Sequence, residues 1–248
     1  MCLIVFAWRP EHAQPLIVAA NRDEFYARPT LPLGAWEDFP QVRAGRDLEA
    51  GGAWLGLGPQ GRFAALTNIR GRSLPLGRRS RGDLVAGFLH GTASVTDYLT
   101  EIAGRAGEYG GFNLLLGDGQ QLWHLHSTSR RAEPVSPGVH GLSNASLDTP
   151  WPKLLKARRR LSEHLDDPRP EALLELLADP EPAADAALPD TGVGTVTEKL
   201  LSSVFIASPH YGTRASTVVK VDAEGSRWMM ERSFGPYGGQ LGDVLVEC

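Results

Sequence analysis

The sequence predicts an α+β fold of antiparallel sheets covered by helices, and three observations predict it. The patterned segments run in the order hairpins, helices, hairpin, helices, hairpin, which differs from the strand-helix alternation of parallel sheets. Turn chemistry separates paired apolar runs, as in Gly58-Pro59-Gln60-Gly61 and Gly117-Asp118-Gly119-Gln120. The chain has 248 residues, 42% of them hydrophobic, and no internal repeat. A single domain over residues 1–248 is therefore expected, because that much apolar material suffices for one sizeable core.

The first hairpin is Leu3 to Trp8 with Leu16 to Ala20, short apolar runs either side of a polar, proline-containing connection. Asn21-Arg22-Asp23-Glu24 then follows directly, where the apolar pattern stops. Trp54 to Leu57 and Phe63 to Thr67 form a second hairpin. A basic loop (Arg70, Arg72, Arg78, Arg79, Arg81) leads into two helical patterns, Asp83 to His90 and Val95 to Ala106. Phe112 to Leu116 and Leu122 to Ser127 make the next hairpin, and Trp151 to Leu165 and Glu171 to Leu177 read as helices. Residues 179–190, rich in Pro, Ala and Asp, form a surface loop. Strands return at Val204 to Ala207, Ser216 to Val221 and Arg227 to Arg232, the last two joined by Asp222-Ala223-Glu224-Gly225.

Composition excludes several function classes. Net charge is −4, with 25 basic residues interspersed among 29 acidic ones, so no extended nucleic-acid surface is expected. The opening apolar stretch is too short for a signal peptide or a membrane helix, and no later run is long enough to span a bilayer. A cytoplasmic protein without stable membrane insertion is expected. Cysteines stand only at positions 2 and 248, as expected of free thiols in a reducing compartment. There is no phosphate-binding glycine loop, no C-x-x-C-H and no paired-cysteine zinc spacing, so neither a metal nor a cofactor is expected.

Cys2 is the first candidate for chemistry. Removal of Met1 would leave a free α-amine on the residue that carries the thiol, so nucleophile and base would reside together. An α-amine of pKa about 7.7 to 8.0 can take the proton of a thiol of pKa about 8.5 near neutral pH. The same cysteine also suits a plain buried strand start. Asp23 could orient the amine or thiol, and Arg22 could lower a thiol pKa or hold a substrate carboxylate. The alternative is a polar turn closed by its own salt bridges. Asn68 and Asn144 could each donate to an oxyanion, or each close a turn or cap a helix. His124 and His126 alternate on one strand face, which admits a haem or metal contact as well as solvent exposure. Trp54, Trp123 and Trp151 suit either core or pocket wall, and the basic loop suits either a solvated surface or an anionic ligand.

Met1-Cys2-Leu3-Ile4, Ala20-Asn21-Arg22-Asp23-Glu24-Phe25, Gly51-Gly52-Ala53-Trp54-Leu55-Gly56, Ala65-Leu66-Thr67-Asn68-Ile69-Arg70, Gly111-Phe112-Asn113-Leu114, Gly141-Leu142-Ser143-Asn144 and Tyr211-Gly212-Thr213-Arg214 follow in order over nearly the whole chain. Together they resemble the NRDE, or transport and Golgi organisation, family. That family is in turn similar to the cysteine-type N-terminal nucleophile hydrolases, such as penicillin V acylase and bile salt hydrolase. The resemblance implies a four-layer α/β/β/α sandwich. It also implies Cys2 as nucleophile, Asp23 as the carboxylate that positions it, and Asn68 and Asn144 as the asparagines of the oxyanion and substrate site. Asn21, Arg22 and Arg214 are then candidates for substrate binding. One departure is that those hydrolases carry an arginine three residues before the aspartate, where this chain has Ala20.

Two functions compete at this level. One is hydrolysis of a linear amide or related acyl bond through a Cys2 thioester. The other, suggested by the family's link to haem trafficking, is a non-catalytic protein that binds haem or another hydrophobic anion on the same fold. Either way the partner is a small molecule.

Overall fold

The computed structural model describes residues 2–71 and 77–248. Its strands are β1 (Cys2–Trp8), β2 (Leu16–Phe25), β3 (Thr30–Ala35), β4 (Arg43–Asp47), β5 (Leu55–Leu57) and β6 (Phe63–Asn68). Helices α1 (Gly82–His90) and α2 (Val95–Arg105) follow, then β7 (Phe112–Gly117), β8 (Leu122–His126), β9 (Arg131–Pro134) and β10 (Gly138–Leu142). Helices α3 (Pro152–Glu163), α4 (Pro170–Leu176) and α5 (Thr195–Leu200) precede β11 (Tyr211–Val221), β12 (Arg227–Phe234) and β13 (Gln240–Glu247).

These elements form two compact units, the first of residues 2–27, 70–71 and 137–248 and the second of residues 28–69 and 77–136. The second unit is a seven-stranded antiparallel meander in chain order, β3 to β9. Its core joins Leu66, Leu114 and Leu116 of the sheet to Leu84, Phe88 and Leu89 of α1 and Leu99 and Ile102 of α2. Helix α2 begins where the sequence supplies a cap, with Ser94 Oγ accepting the Asp97 N–H at 3.1 Å.

The first unit carries most of the candidate residues. Its sheet runs β10-β1-β2-β11-β12-β13, antiparallel throughout. Strand β1 is buried along its whole length, which its composition Cys-Leu-Ile-Val-Phe-Ala-Trp permits because apolar side chains leave both faces. On one face Leu3, Val5, Ala7, Ile17 and Ala19 pack against Leu154, Ala157 and Leu161 of α3 and Leu173 of α4. Gly141 lets α3 approach β10, since a Cβ there would lie 2.6 Å from Leu154.

Strand β2 departs from the sequence reading. It does not end at Ala20 but continues through Phe25, with Asn21 and Asp23 fully enclosed. A polar stretch can be a central strand because its side chains meet fixed partners. Asn21 Nδ2 donates to the carbonyls of Leu177 at 3.0 Å and Val204 at 2.8 Å, and Asn21 Oδ1 accepts from Ser216 Oγ at 2.6 Å. Those contacts also explain why Val204 to Ala207 is not a strand as its apolar residues suggested. The segment is held by isolated bonds to Asn21, to the Asp179 carbonyl through Phe205 N, and to Thr213 through both the N–H and the carbonyl of Ile206, with no ladder of its own. Strands β3, β4, β9, β10 and β13 and helix α5 escaped the sequence reading, because their short or mostly exposed segments carry little apolar periodicity.

Asn21→Ala is expected to destabilise the protein by about 2–4 kcal/mol, since each buried polar group left unsatisfied costs about 1–3 kcal/mol. Urea unfolding measures this, and an unchanged midpoint would show that the clamp contributes nothing.

Candidate active site

Cys2 opens β1 with its Cα opposite that of Arg22, and Leu3 stands opposite Asn21. Directly opposed residues on antiparallel strands share a face, so Arg22 lies on the Cys2 side of the sheet. Asn21 and Asp23 project to the other side, the one that α3 and α4 cover. The Cys2 side chain is buried, and burial pushes its thiol pKa up. Cys2 and Cys248 are both free thiols.

Asp23 is 1% exposed, and its Oδ1 accepts from Thr213 Oγ1 at 2.8 Å. Thr213 Oγ1 in turn accepts the Ile206 N–H at 3.0 Å, so the hydroxyl hydrogen is directed at the carboxylate. Burial raises the Asp23 pKa, and the positive charge of Lys153 works against that rise. Tyr211 donates its hydroxyl to the Asp23 carbonyl at 3.3 Å and is itself held protonated by burial. Glycine stands between Tyr211 and Thr213 because a Cβ at Gly212 would collide with Tyr26 and with the Ile206 carbonyl. Arg214 falls at the irregularity in β11, where register shifts between Thr213 and Ala215. Its guanidinium donates to the carbonyls of Phe25 at 3.0 Å and Tyr26 at 3.1 Å, just beyond Asp23.

Asn144 approaches from the other side of Cys2. In β10, Leu142 is opposite Ile4, and the chain continues toward the Cys2 end of β1 through Ser143 and Asn144, both fully buried. Ser143 Oγ is 3.1 Å from the Cys2 carbonyl oxygen and 3.3 Å from Asn144 Oδ1, sharing its hydrogen between them. The Asn144 carbonyl accepts the Arg70 N–H at 2.8 Å. The first unit therefore brings together Cys2, Asn21, Arg22, Asp23, Asn144 and Arg214. Asn68 belongs to the second unit, where it ends β6 opposite Phe112.

The loop that carries Ser143 and Asn144 is closed by Asp148, a residue in the left-handed region at φ 57°. Its Oδ1 accepts the Gly141 N–H at 2.8 Å and Arg158 Nη1 at 3.2 Å, while Oδ2 lies 2.7 Å from His140 Nδ1. Burial opposes its charge, but the bonds from His140 and Gly141 win and hold its carboxyl below the usual range.

The basic loop divides. Arg70 is buried, with its guanidinium 3.0 Å from Glu198 Oε2, off hydrogen-bonding alignment, and 4.6 Å from the Trp151 ring centroid. In the second unit Arg79 pairs with Asp83 and Glu108, and Arg81 donates to the Gly111 carbonyl. Arg72 and Met1 lie outside the described residues. His124 is buried with Nε2 3.0 Å from Asn113 Oδ1, and burial lowers the pKa of His126. Trp54 is buried, whereas Trp123 is half-buried beside the second core. Among the described residues no cluster of three or more His, Cys, Asp or Glu side chains could hold a metal ion. Sequence reasoning passed over Thr213, Ser143, Lys153 and Glu198. The first two lie inside motifs that were singled out for their neighbours, Lys153 falls within the helix read over Trp151 to Leu165, and Glu198 falls in α5, which was not read as a helix.

Comparison with solved structures defines the class. The Caenorhabditis elegans ortholog of N-acylethanolamine-hydrolyzing acid amidase matches with a TM-score of 0.52 over 88% of this chain and 92% of that one, at 12% identity. A mutant conjugated bile acid hydrolase from Clostridium perfringens matches with a TM-score of 0.52 over 100% of this chain and 92% of that one, at 7% identity. At such identities the likeness shows the fold alone, and that fold is the α/β/β/α sandwich of N-terminal nucleophile hydrolase type.

Within that class the chain belongs to the Transport and Golgi organisation 2 family, whose model matches residues 1–236. The bovine Transport and Golgi organization protein 2 homolog is 38% identical over 257 residues, covering 94% of this chain and 93% of its own. The human homolog is 35% identical with the same coverage, 94% and 93%, and the Drosophila melanogaster protein is 28% identical, covering 94% and 92%.

Asp148→Ala is expected to loosen the 141–148 loop, so that the amides of Ser143 and Asn144 exchange hydrogen at least about tenfold faster while those of β11 are unaffected, a local opening of about 1.4 kcal/mol. Because the carboxyl pKa is depressed in the folded state, its contribution is present above about pH 4 and is lost as pH falls through the folded value. Hydrogen exchange followed by mass spectrometry checks both statements. Equal exchange in the two proteins would mean that Asp148 does not hold the loop.

Proposed function

We propose that this protein hydrolyses a linear amide or related acyl bond of a small molecule, with Cys2 as nucleophile after loss of the preceding residue. The observation that carries this reading is the convergence of polar groups on the first residue of β1. Arg22 stands opposite Cys2, Asp23 follows it, and Ser143 links the Cys2 carbonyl to Asn144. A plain strand start would need none of them buried.

A buried thiol with a raised pKa offers little thiolate at neutral pH, so a neighbouring base must take its proton during attack. The α-amine of Cys2 is that base. Sγ adds to the substrate carbonyl carbon as the amine takes the thiol proton, and Asn144 donates to the oxygen that becomes negative. For Asn68 the same role rests on the sequence resemblance. The ammonium then returns its proton to the leaving amine, the C–N bond breaks, and a thioester remains. Water, deprotonated by the same amine, attacks the thioester, releases the carboxylic acid and restores the thiol. Asp23 orients the amine in this scheme, and Arg22 and Arg214 are the candidate contacts for an anionic group of the substrate. The competing reading, binding of haem or another hydrophobic anion without catalysis, needs neither the amine nor the thiol.

Intact-mass analysis before and after mild alkylation, with Cys2→Ala as control, separates the two. Loss of Met1 together with labelling of Cys2 at least about tenfold faster than Cys248 is expected, since activation of a catalytic thiol by a neighbouring base contributes about 10²–10⁴-fold. Retained Met1 or an unreactive Cys2 would remove the proposed base and favour ligand binding.

A further inference from the structure

Lys153 is the second residue of α3, yet it is 3% exposed and its Nζ has no hydrogen-bond partner among the described residues. Lysine on a helix ordinarily extends its ammonium to water, and enclosing an unpaired ammonium costs several kcal/mol. The first turn is also the wrong end of a helix for a cation, because the backbone dipole is positive there. Nothing local to α3 accounts for the residue.

Its surroundings do. Leu154 packs on Gly141 of β10, and Trp151 packs on Arg70, whose N–H meets the Asn144 carbonyl, so this turn of α3 sits at the Cys2 end of the sheet. The charged and titratable groups acting on Lys153 are Asp23, Arg70, Cys2 and Glu198. Glu198 is already engaged, with Oε2 3.0 Å from Arg70 and Oε1 accepting from Thr191 N and Oγ1 at 2.8 and 2.6 Å. Cys2 is a thiol whose ionisation burial opposes. Asp23 is left, a carboxyl 1% exposed on the face of the sheet that α3 covers. The attraction is mutual: burial drives Lys153 down and Asp23 up, and each is the largest opposing charge for the other. Asp23 also faces Thr213, Tyr211, the neighbouring Glu24 and the positive charge of the chain's N-terminal ammonium, which lowers its pKa after Lys153 does.

We propose that Lys153 is a positioning residue of the Cys2 site, a buried counter-charge on α3 that acts beside the N-terminal ammonium to keep Asp23 a carboxylate. Its effect on chemistry rests on the reading of Cys2 as nucleophile, but the pair itself does not. A carboxylate at Asp23 can accept from the Cys2 α-ammonium and from Thr213 together. A neutral carboxylic acid there would spend one oxygen as a donor and hold the amine poorly.

Carboxyl-carbon NMR of the full chain tests the pair directly, with Asp23→Asn assigning the resonance. Asp23 is expected to be ionised at pH 7 in the native protein. It is expected to titrate at least one pH unit higher in Lys153→Met, a tenfold change in its ionisation constant, and to return to the native midpoint in Lys153→Arg. Should Lys153→Met fail to fold, Asp23→Asn combined with Lys153→Met is expected to fold better than Lys153→Met alone, because no unpaired buried charge remains. The proposal is overturned if Asp23 is protonated at pH 7 in the native protein, if its midpoint ignores Lys153→Met, or if the double substitution is no better than the single one. Alkylation of Cys2 at pH 7 supplies the second readout. It is expected to slow tenfold or more in Lys153→Met, to recover in Lys153→Arg, and to recover in Lys153→Met itself as pH rises. Slow alkylation in the native protein too would end the nucleophile reading and leave the Asp23 titration to decide the pair.

Discussion

The geometry around Cys2 depends on one constraint: β2 is a central strand whose last five residues are Asn21-Arg22-Asp23-Glu24-Phe25. A strand paired on both sides satisfies its own backbone through its neighbours, but its enclosed side chains must find partners or be destabilising. Here each finds a different one. Asn21 ties the strand to the turn after α4, to the segment before β11 and to β11 itself. Asp23 ties it to Thr213, and through Thr213 to Ile206. The segment between α4 and β11 thus has its course dictated by two polar side chains of a strand more than 150 residues earlier in the chain.

Strand alternation then divides the labour. Arg22 shares the face of Cys2, while Asn21 and Asp23 occupy the face beneath α3 and α4. A one-residue slip of β2 against β1 would exchange these sets, setting an aspartate beside the thiol and burying a guanidinium under the helices. The packing of Ile17 and Ala19, opposite Ala7 and Val5, against α3 and α4 makes that slip costly, because it would turn these residues away from the helices they contact. Packing far along the strand therefore maintains the placement of groups at its end.

The first unit encloses more charge than a structural scaffold requires. Asp23, Lys153, Arg70 and Glu198 are all nearly inaccessible, and two are cations set against two anions. Buried ion pairs seldom add net stability over apolar replacements of similar size. They gather at one end of one sheet, next to a thiol and two loop polar groups, the kind of clustering of perturbed ionisable groups on which the proposed function draws. The solved structures that share the fold are named as hydrolases, although identities of 12% and 7% transfer no activity to this chain.

Much was legible from sequence alone. Hairpins with glycine-containing turns and long amphipathic helices are local properties, so the β5-β6, β7-β8 and β11-β12 pairs and α1 to α4 could be read from residue order. Cys2 stood out because it follows the initiator methionine, Asp23 because it lies where an apolar pattern stops, and Asn144 through the family resemblance. What the sequence could not reveal was which polar residues would be enclosed. Asn21 and Asp23 stood in a segment that read either as a polar turn or as part of a site, since nothing local announces that Leu177, Val204, Thr213 and Ser216 will meet them. Lys153 drew no notice within a segment read as a helix, because its burial comes from packing α3 onto β1 and β10. Sequence by itself determined the types of the longer, strongly patterned elements and pointed to a candidate nucleophile, because these depend on neighbours along the chain. Tertiary structure decided the partners and the charge environment, which depend on residues brought together only when the sheet and its helices assemble.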